Sequence, residues 1–315
     1  NYVVQTINTG ENMSIRLGYA CINKHLSDTQ NLTASRTMRK ATFETKGLPA
    51  VSALIVSNLR SLQTIMQWNV DNNFTLYRMS SDMFPWHSEY RFQDLPDYKK
   101  IRSLLEHTGQ FAIDNGIRLS FHPGQFVCLA SKNPKVVENA MKDLEAHGTI
   151  MDWMLQPRDH NAKINIHIGG AYNDKPVTAK RFVEATDRLS ASVYDRLTVE
   201  NDDRLNLYTT QELYDMVHVE TGIPIVFDYH HHVCNPGTLS ERDALALAIS
   251  TWQNAKPCTH YSESAQLERG EAAPFRAHSN YIYSKIDDHG FDIDCVVEAK
   301  AKEQAVLKYY QLHGE

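Results

Sequence analysis

The 315-residue chain has no apolar run near the ~18 residues that a membrane-crossing helix needs. No charged-then-apolar leader opens it either. A soluble intracellular protein is expected, in the cytoplasm or nucleoid, or in a nucleus if the source is eukaryotic. Cysteine is scarce. Cys21, Cys128, Cys234, Cys258 and Cys295 make an odd set without a CxxC pair. That excludes a disulfide framework and reads as reduced thiols. The absence of GxGxxG argues against an open doubly wound sheet. No Pro-, Gly- or Ser-rich linker, low-complexity tract or close repeat divides the chain. One domain is therefore expected over residues 15–315, with residues 1–14 as an extension outside it. Positive charge is short as well: 32 Lys and Arg against 38 Asp and Glu give a net charge of -6. Nucleic acid asks for a basic face, so this balance argues mildly against such a partner, unless carboxylates are occupied by divalent ions.

What the chain does have is histidine, fifteen in all. Their placement follows a regular frame. Short β-branched runs recur: "IRLGYAC" from Ile15, "FTLYRMSS" from Phe74, "IRLSFHPG" from Ile117 and "KINIHIGG" from Lys163. "LTVENDD" from Leu197, "IPIVFDYH" from Ile223, "PCTHYSES" from Pro257 and "IDCVVEAK" from Ile293 complete the set. Between them lie helical patterns. Leu54, Ile55, Leu59, Leu62, Ile65 and Met66 form one apolar stripe. Pro134 suits a first helical turn. Thr178–Tyr194, Thr210–Glu220 and Ser240–Trp252 are expected helices with Thr or Ser caps near their starts. Eight alternations of strand and helix predict an α/β fold, a (β/α)8 TIM barrel.

Such barrels carry their sites at the C-terminal ends of the strands. There the third strand ends in His122, the fourth carries His167 and the fifth ends in Glu200. The sixth ends in Asp228 and the run His230, His231, His232. The seventh carries His260 and the eighth Glu298. Packing accounts for one such residue but poorly for six in step, since each buried charge needs a partner. A metal cluster supplies a common one. Histidine plus carboxylate without thiolate suits Mn²⁺, Zn²⁺ or Fe²⁺, and the ligands outnumber the needs of one ion. Two or three ions side by side suit phosphodiester hydrolysis.

The segments "RLGYAC", "FHPGQF", "IHIGGAY", "VENDDR", "FDYHHHVCNPG" and "VEAKAKEQ", in this order from Ile15 to about Gln304, resemble the UV damage endonuclease family. Its barrel and metal site are similar to those of endonuclease IV. The resemblance implies DNA repair: a nick immediately 5′ to a cyclobutane dimer or 6-4 photoproduct, leaving 3′-hydroxyl and 5′-phosphate, with abasic sites as a further substrate. It implies three divalent ions, Mn²⁺ or alternatively Zn²⁺, and damaged double-stranded DNA as the partner of a monomer. Carried over by position, His122 and His167 bind one ion. Glu200 bridges to a second, held also by Asp228, His260 and Glu298. His231 and His278 serve a third. Glu200, Asp228, His231 and Glu298 form the catalytic core. The family's D-x-x-H spacing selects His231 over His230, although strand alternation alone would pair Asp228 with His230. His230 and His232 then become hydrogen-bonding neighbours.

A photodimer is stacked in the duplex, so it must be extruded, and proteins open duplexes with wedges. Gln125 and Phe126 follow a Pro-Gly turn where the family carries a probing pair, typically Gln-Tyr. Phe126 keeps the ring and loses the hydroxyl. Tyr19 and Asn23 resemble residues near the lesion. Arg36, Arg39 and Lys40 concentrate positive charge in the first loop and are candidates for phosphate contacts. His87 is a further candidate phosphate contact. Cys258 departs from the pattern, since family members can carry a lysine there, and Lys256 shares its strand face without aligning. The metal set does not depend on that position. Three rivals remain: an abasic-site endonuclease of the endonuclease IV type, a metal-dependent sugar isomerase, and a non-catalytic damage-binding protein.

Overall fold

The computed structural model describes residues 15–314; the expected extension at residues 1–14 lies outside the described residues. The strands are β1 (Arg16–Ala20), β2 (Leu76–Arg78), β3 (Arg118–Ser120), β4 (Ile164–Ile166), β5 (Leu197–Glu200), β6 (Ile225–Val226), β7 (Cys258–Tyr261) and β8 (Asp294–Val297). Each falls inside one of the eight runs read from the sequence. Ladder pairing is parallel throughout and gives a five-stranded sheet, β3-β2-β1-β8-β7, and a three-stranded sheet, β4-β5-β6. Two seams lie between the sheets. Single parallel bridges span them, Phe121 to Ile164 and Asp228 to His260. Every strand thus neighbours the strands before and after it in sequence, with β8 beside β1, the order of a (β/α)8 barrel. Pairing is thin at the β3–β4 and β6–β7 seams.

Helices separate the strands and bury one face each. In the helix Lys40–Asp71, Ile55, Leu59, Leu62, Ile65 and Met66 are buried as their spacing requires. Asn133 caps Pro134–Trp153, with proline in its first turn, where a missing N–H costs nothing. Ser240 caps Glu241–Ser250. The stretch expected as one helix from Thr178 to Tyr194 is two, Lys175–Thr186 and Ala191–Tyr194. Asp174 caps the first of these, and Thr178 instead donates its hydroxyl to the Ala171 carbonyl at 2.7 Å. Thr209 and Glu212 form a capping box ahead of the next helical stretch, which widens into a π-turn at Tyr214–His218.

Strand alternation sorts the side chains into two sets. Leu17, Tyr19, Tyr77, Leu119, Val199, Cys295 and Val297 join the main apolar core. The other parity faces inward and is largely polar. At the N-terminal ends, Asp294 accepts from Arg16 Nε and Arg118 Nη1, both at 2.8 Å, and faces Lys256 Nζ at 3.3 Å. Lys256 is thereby committed to the opposite end of the barrel from the expected site. Above this layer, Thr198 donates to Asn165 at 2.8 Å. The same parity ends at Arg78, His122, His167, Glu200, Asp228, His260 and Glu298.

The helix Tyr98–Asp114 approaches the end of its neighbour without room for a side chain: a Cβ built on Gly109 would stand 1.8 Å from the Met154 carbonyl oxygen. Gly109→Ala is therefore expected to lose about 1–3 kcal/mol of stability or more by overpacking. Equilibrium urea unfolding checks this, and an unchanged midpoint would refute the close approach.

Candidate metal centre

Glu200 ends β5 and is fully buried. Four histidines from four other elements surround its carboxylate. His122 Nε2 lies 3.2 Å from Oε2 and His260 Nδ1 lies 3.0 Å from it. His231 Nδ1 lies 3.1 Å from Oε1, and His167 Nε2 lies 3.7 Å from it. Asn165 donates its side-chain amide to Oε2. A second carboxylate, Glu298, pairs with Arg78 and faces His260 Nδ1 at 3.3 Å and His278 Nδ1 at 3.8 Å. Ligand atoms within 4.8 Å of one another form three overlapping trios: His122, Glu200 and His260; His167, Glu200 and His231; Asp228, His260 and Glu298. Glu200 and His260 are each shared between two of them. The trios cut across the partition implied by resemblance: His122 and His167 fall into different ones, and His278 stands at the edge.

The ring orientations follow a rule. A carbonyl or carboxylate oxygen only accepts, so a ring nitrogen bonded to one carries the proton. Nδ1 of His122 faces the Pro123 carbonyl at 3.2 Å, Nδ1 of His231 that of Asn201 at 2.9 Å and Nδ1 of His278 that of Glu298 at 3.2 Å. Nδ1 of His167 faces Asp202 at 3.1 Å, off the line of a good hydrogen bond. His231 and His278 are thereby left with Nε2 as the free lone pair, the arrangement typical of imidazole ligands, while His122 and His167 turn Nε2 towards the Glu200 carboxylate. His260 is reversed. Its Nε2 lies 3.0 Å from Lys163 Nζ, and Nδ1 faces the carboxylates. Asn165, Lys163, Asp202, Asn201 and Arg78 were not singled out from the sequence. Period-two parity counted back from the rim residues would have found the first two.

Electrostatics express the same crowding. Burial alone would raise Glu200, but the surrounding histidines outweigh it and hold its carboxyl well below the usual range. Burial, together with Glu200 and Glu298, pushes Asp228 up to about 7 against the pull of His231. His167 rises to about 9 despite burial, because Glu200 and Asp202 face it. Burial and the neighbouring Lys163 push His260 down to about 3. Glu200 Oε1, Asp228 Oδ2 and His260 Nδ1 are buried and make no hydrogen bond among the described residues. The two carboxylate oxygens are buried acceptors left without a hydrogen bond, a shortfall that divalent cations would meet, and this nitrogen and oxygen donor set suits borderline ions.

A model of the family described as UV-endonuclease UvdE matches residues 15–314. The chain belongs to that family. It is 35% identical over 303 residues to the UV-damage endonuclease of Schizosaccharomyces pombe, covering 93% of this chain and 50% of that protein. The chain therefore spans about half the length of this relative. It is 32% identical over 319 residues to the UV DNA damage endonuclease of Bacillus cereus (strain G9842), covering 94% of this chain and 93% of that one. The crystal structure of SacUVDE superposes with a TM-score of 0.82 at 29% identity, covering 95% and 98% of the two chains. Endonuclease IV from Thermus thermophilus matches with a TM-score of 0.52 at 13% identity, over 79% and 93%, a likeness of fold alone.

In this UvdE chain the histidine run is arranged by a cap. β6 stops at Val226, and Asp228 becomes the N-cap of the helix Tyr229–Cys234, accepting the His231 N–H at 2.7 Å. Asn201 clamps the turn from the other side, accepting from Asp228 N at 2.8 Å and donating to Asp228 O at 3.0 Å. Three residues of helix bring His231 back beside Asp228 and Glu200. His230 turns instead to Phe275 and His278, with ring centroids 5.8 and 5.6 Å away, and burial holds its pKa down to about 4. His232 packs on Phe227.

The other expected residues fall into two groups. Gln125 and Phe126 form the tip of a turn closed by Val127 N to Gly124 O at 3.0 Å, and Phe126 is 84% exposed. Arg39 and Lys40 are exposed and Arg36 is half-buried; Arg36 lies in the loop expected, Arg39 occupies the N-cap position of the helix Lys40–Asp71 and Lys40 begins it. Tyr19 and Asn23, expected near the lesion, are instead withdrawn from solvent. Tyr19 donates its hydroxyl to Asn69 at 2.6 Å and receives Asn23 Nδ2 at 3.0 Å, while Asn23 caps the helix Lys24–Gln30. Their polar groups are used up in holding the first loop. Cys258 is buried on β7. His87 is likewise not free for a phosphate. Its Nδ1 bonds the Phe84 carbonyl and its Nε2 bonds Asp143, both at 2.8 Å, and Asp143 also faces His147.

Two outcomes follow. His231→Ala should lower bound divalent metal, measured by elemental analysis after dialysis, far more than His230→Ala; the reverse order would assign the ligand to His230. Asp143 raises the His87 pKa above its ordinary 6.5, overcoming burial. Its contribution to stability is complete below that value and fades as pH rises through the higher folded value. His87→Gln should therefore destabilise more at pH 6 than at pH 9 in urea titrations. Equal effects at both pH values would contradict the pairing.

Proposed function

We propose that the chain is a metal-dependent DNA repair endonuclease that cuts one strand immediately 5′ to UV photoproducts, cyclobutane dimers and 6-4 photoproducts, and that also cuts abasic sites. The observation that carries this reading is the convergence of four histidines and three carboxylates at one rim of a barrel, with His278 at its edge, in a chain of the UvdE family. His122, His167, Glu200, Asp228, His231, His260, His278 and Glu298 would hold the ions, three in number and Mn²⁺ by preference over Zn²⁺. When bound, such ions supply Lewis acidity, offsetting charge on the phosphodiester and making water acidic enough to attack at neutral pH. The products are a 3′-hydroxyl and a 5′-phosphate.

The protein's own part is positioning. Glu200, Asp228, His231 and Glu298 form the catalytic core, fixed by Asn165, Asn201 and Arg78. Carbonyl acceptors on Nδ1 of His231 and His278 set which nitrogen these rings present. Beside this core lies a cavity of about 440 Å³ lined by Pro123 to Val127, His167, Asp202, Asp203, Arg204, Leu207 and His231. Gln125 and Phe126 would enter the base stack from its edge, while Arg36 and Arg39 would contact phosphates. Bound cations would answer the net charge of -6. The protein acts as an intracellular monomer on damaged duplex DNA.

Incision of a duplex carrying one cyclobutane dimer tests this. A single nick 5′ to the dimer is expected with Mn²⁺, a weaker one with Zn²⁺ and none with chelator. Cleavage of an abasic duplex alone would make the enzyme an endonuclease IV-like activity, and no cleavage under any condition would remove the proposal.

A further inference from the structure

The loop after Glu200 displays a side chain that the metal centre does not use. Residues 202–208 close on themselves. Asp202 N donates to Tyr208 O at 2.9 Å and Tyr208 N donates to Asp202 Oδ2 at 3.2 Å. Within this closure Leu207 N donates to Arg204 O at 2.8 Å, a turn with Leu205 and Asn206 at its tip. Asp203 is tied to Arg276 of the loop after β7 at 3.2 Å, and Asn235 holds the Leu207 carbonyl at 3.3 Å. Leu205 is 78% exposed on this braced turn. A lone exposed leucine is ordinary on a protein surface. Its location makes this one informative. Arg204 and Leu207 of the same turn line the 440 Å³ cavity that reaches His167 and His231, and the opposite lining is the loop that carries Phe126. Phe126 lines this cavity from one loop, and Leu205 lies in sequence between two lining residues of the other, Arg204 and Leu207; the lining also includes His167 and His231.

We propose that Leu205 is a second wedge, a specificity-determining residue that enters the base stack from the β5 side while Phe126 enters from the β3 side. The extruded nucleotides occupy the cavity between them. This rests on the reading of the site as a photoproduct endonuclease. Extruding two joined pyrimidines vacates two stacking steps, about 7 Å at the ~3.4 Å spacing of bases along a strand. Phe126 offers one apolar face to fill them, and Gln125 beside it is polar and offers no second one. An unfilled step leaves base faces unstacked, which costs a few kcal/mol, and apolar side chains are what proteins place there. Leu205 supplies the second filler, on a turn braced through its neighbours: Asp203 pairs with Arg276, and the Leu207 carbonyl accepts from Asn235.

The test compares two substrates with the same cyclobutane dimer: a fully paired duplex, and one in which the dimer and its flanks lie in a preformed unpaired bubble. Leu205→Ala should slow incision of the paired duplex about tenfold or more, the share of unstacking that one wedge offsets. It should cut the bubble substrate as wild type does and retain wild-type Mn²⁺ content. Leu205→Met, which restores an apolar side chain, should recover the paired substrate. In stopped flow, 2-aminopurine placed opposite the dimer should brighten less with Leu205→Ala than with wild type before any strand is cut. Unchanged incision of the paired duplex, or equal loss on both substrates, overturns the wedge and leaves the nuclease reading standing. Failure of the wild type to cut either substrate removes both.

Discussion

The structure is organised around one buried carboxylate. Glu200 has no exposed surface, and a lone charge in that position would be severely destabilising. Its stability depends on histidines delivered by β3, β4, β7 and the helix after β6. These partners lie on both sides of the two thin seams. His122 reaches Glu200 across the β3–β4 junction, and His260 reaches it across β6–β7. Lys163, next to the first seam, reaches His260, next to the second. Where backbone pairing is reduced to single bridges, side-chain contacts of the site join the two sheets. Any cation bound there would strengthen the same junctions, so site and barrel are one construction.

The histidine run shows how a local rule sets the chemistry. Had β6 continued past Asp228, alternation would have placed His230 beside it and turned His231 outward. The carboxylate prevents this by acting as an N-cap. It accepts the His231 N–H, the chain turns helical, and residues three apart come onto one side. One oxygen of Asp228 is used in that turn, while the other is buried without a partner and points to the centre. Asn201, the residue after Glu200, bonds both backbone groups of Asp228 and so fixes the second carboxylate relative to the first.

Much of this was legible in the sequence. All eight strands lie in apolar β-branched runs, and their polar endings converge on one rim, because a parallel barrel places every strand's C-terminus at the same end. The stripe of Ile55, Leu59, Leu62, Ile65 and Met66 packs as its spacing demands. What was not legible was orientation. Tyr19 and Asn23 stand at the correct strand end, yet Asn69, some fifty residues away, captures the hydroxyl and turns the pair inward. His87 follows β2 as a site residue would, but Asp143 of a later helix takes its free nitrogen. Such captures depend on partners distant in sequence that no local pattern marks.

The sequence by itself determined the barrel and the rim at which six strands each end in a histidine or carboxylate, while His278 entered only through the family resemblance. Periodicity and spacing are enough for the barrel and the rim, since they follow from backbone geometry. The pairing of Asp228 with His231 came from the family's D-x-x-H spacing, against plain strand alternation. The tertiary structure decided which nitrogen each ring presents, which donors share a trio and which loops face each other across the cavity. Those are fixed by contacts between elements: a carbonyl on Nδ1, an amine on His260, a turn braced by Arg276. Their energies depend on distance and burial in the folded molecule, and neither exists along an extended chain.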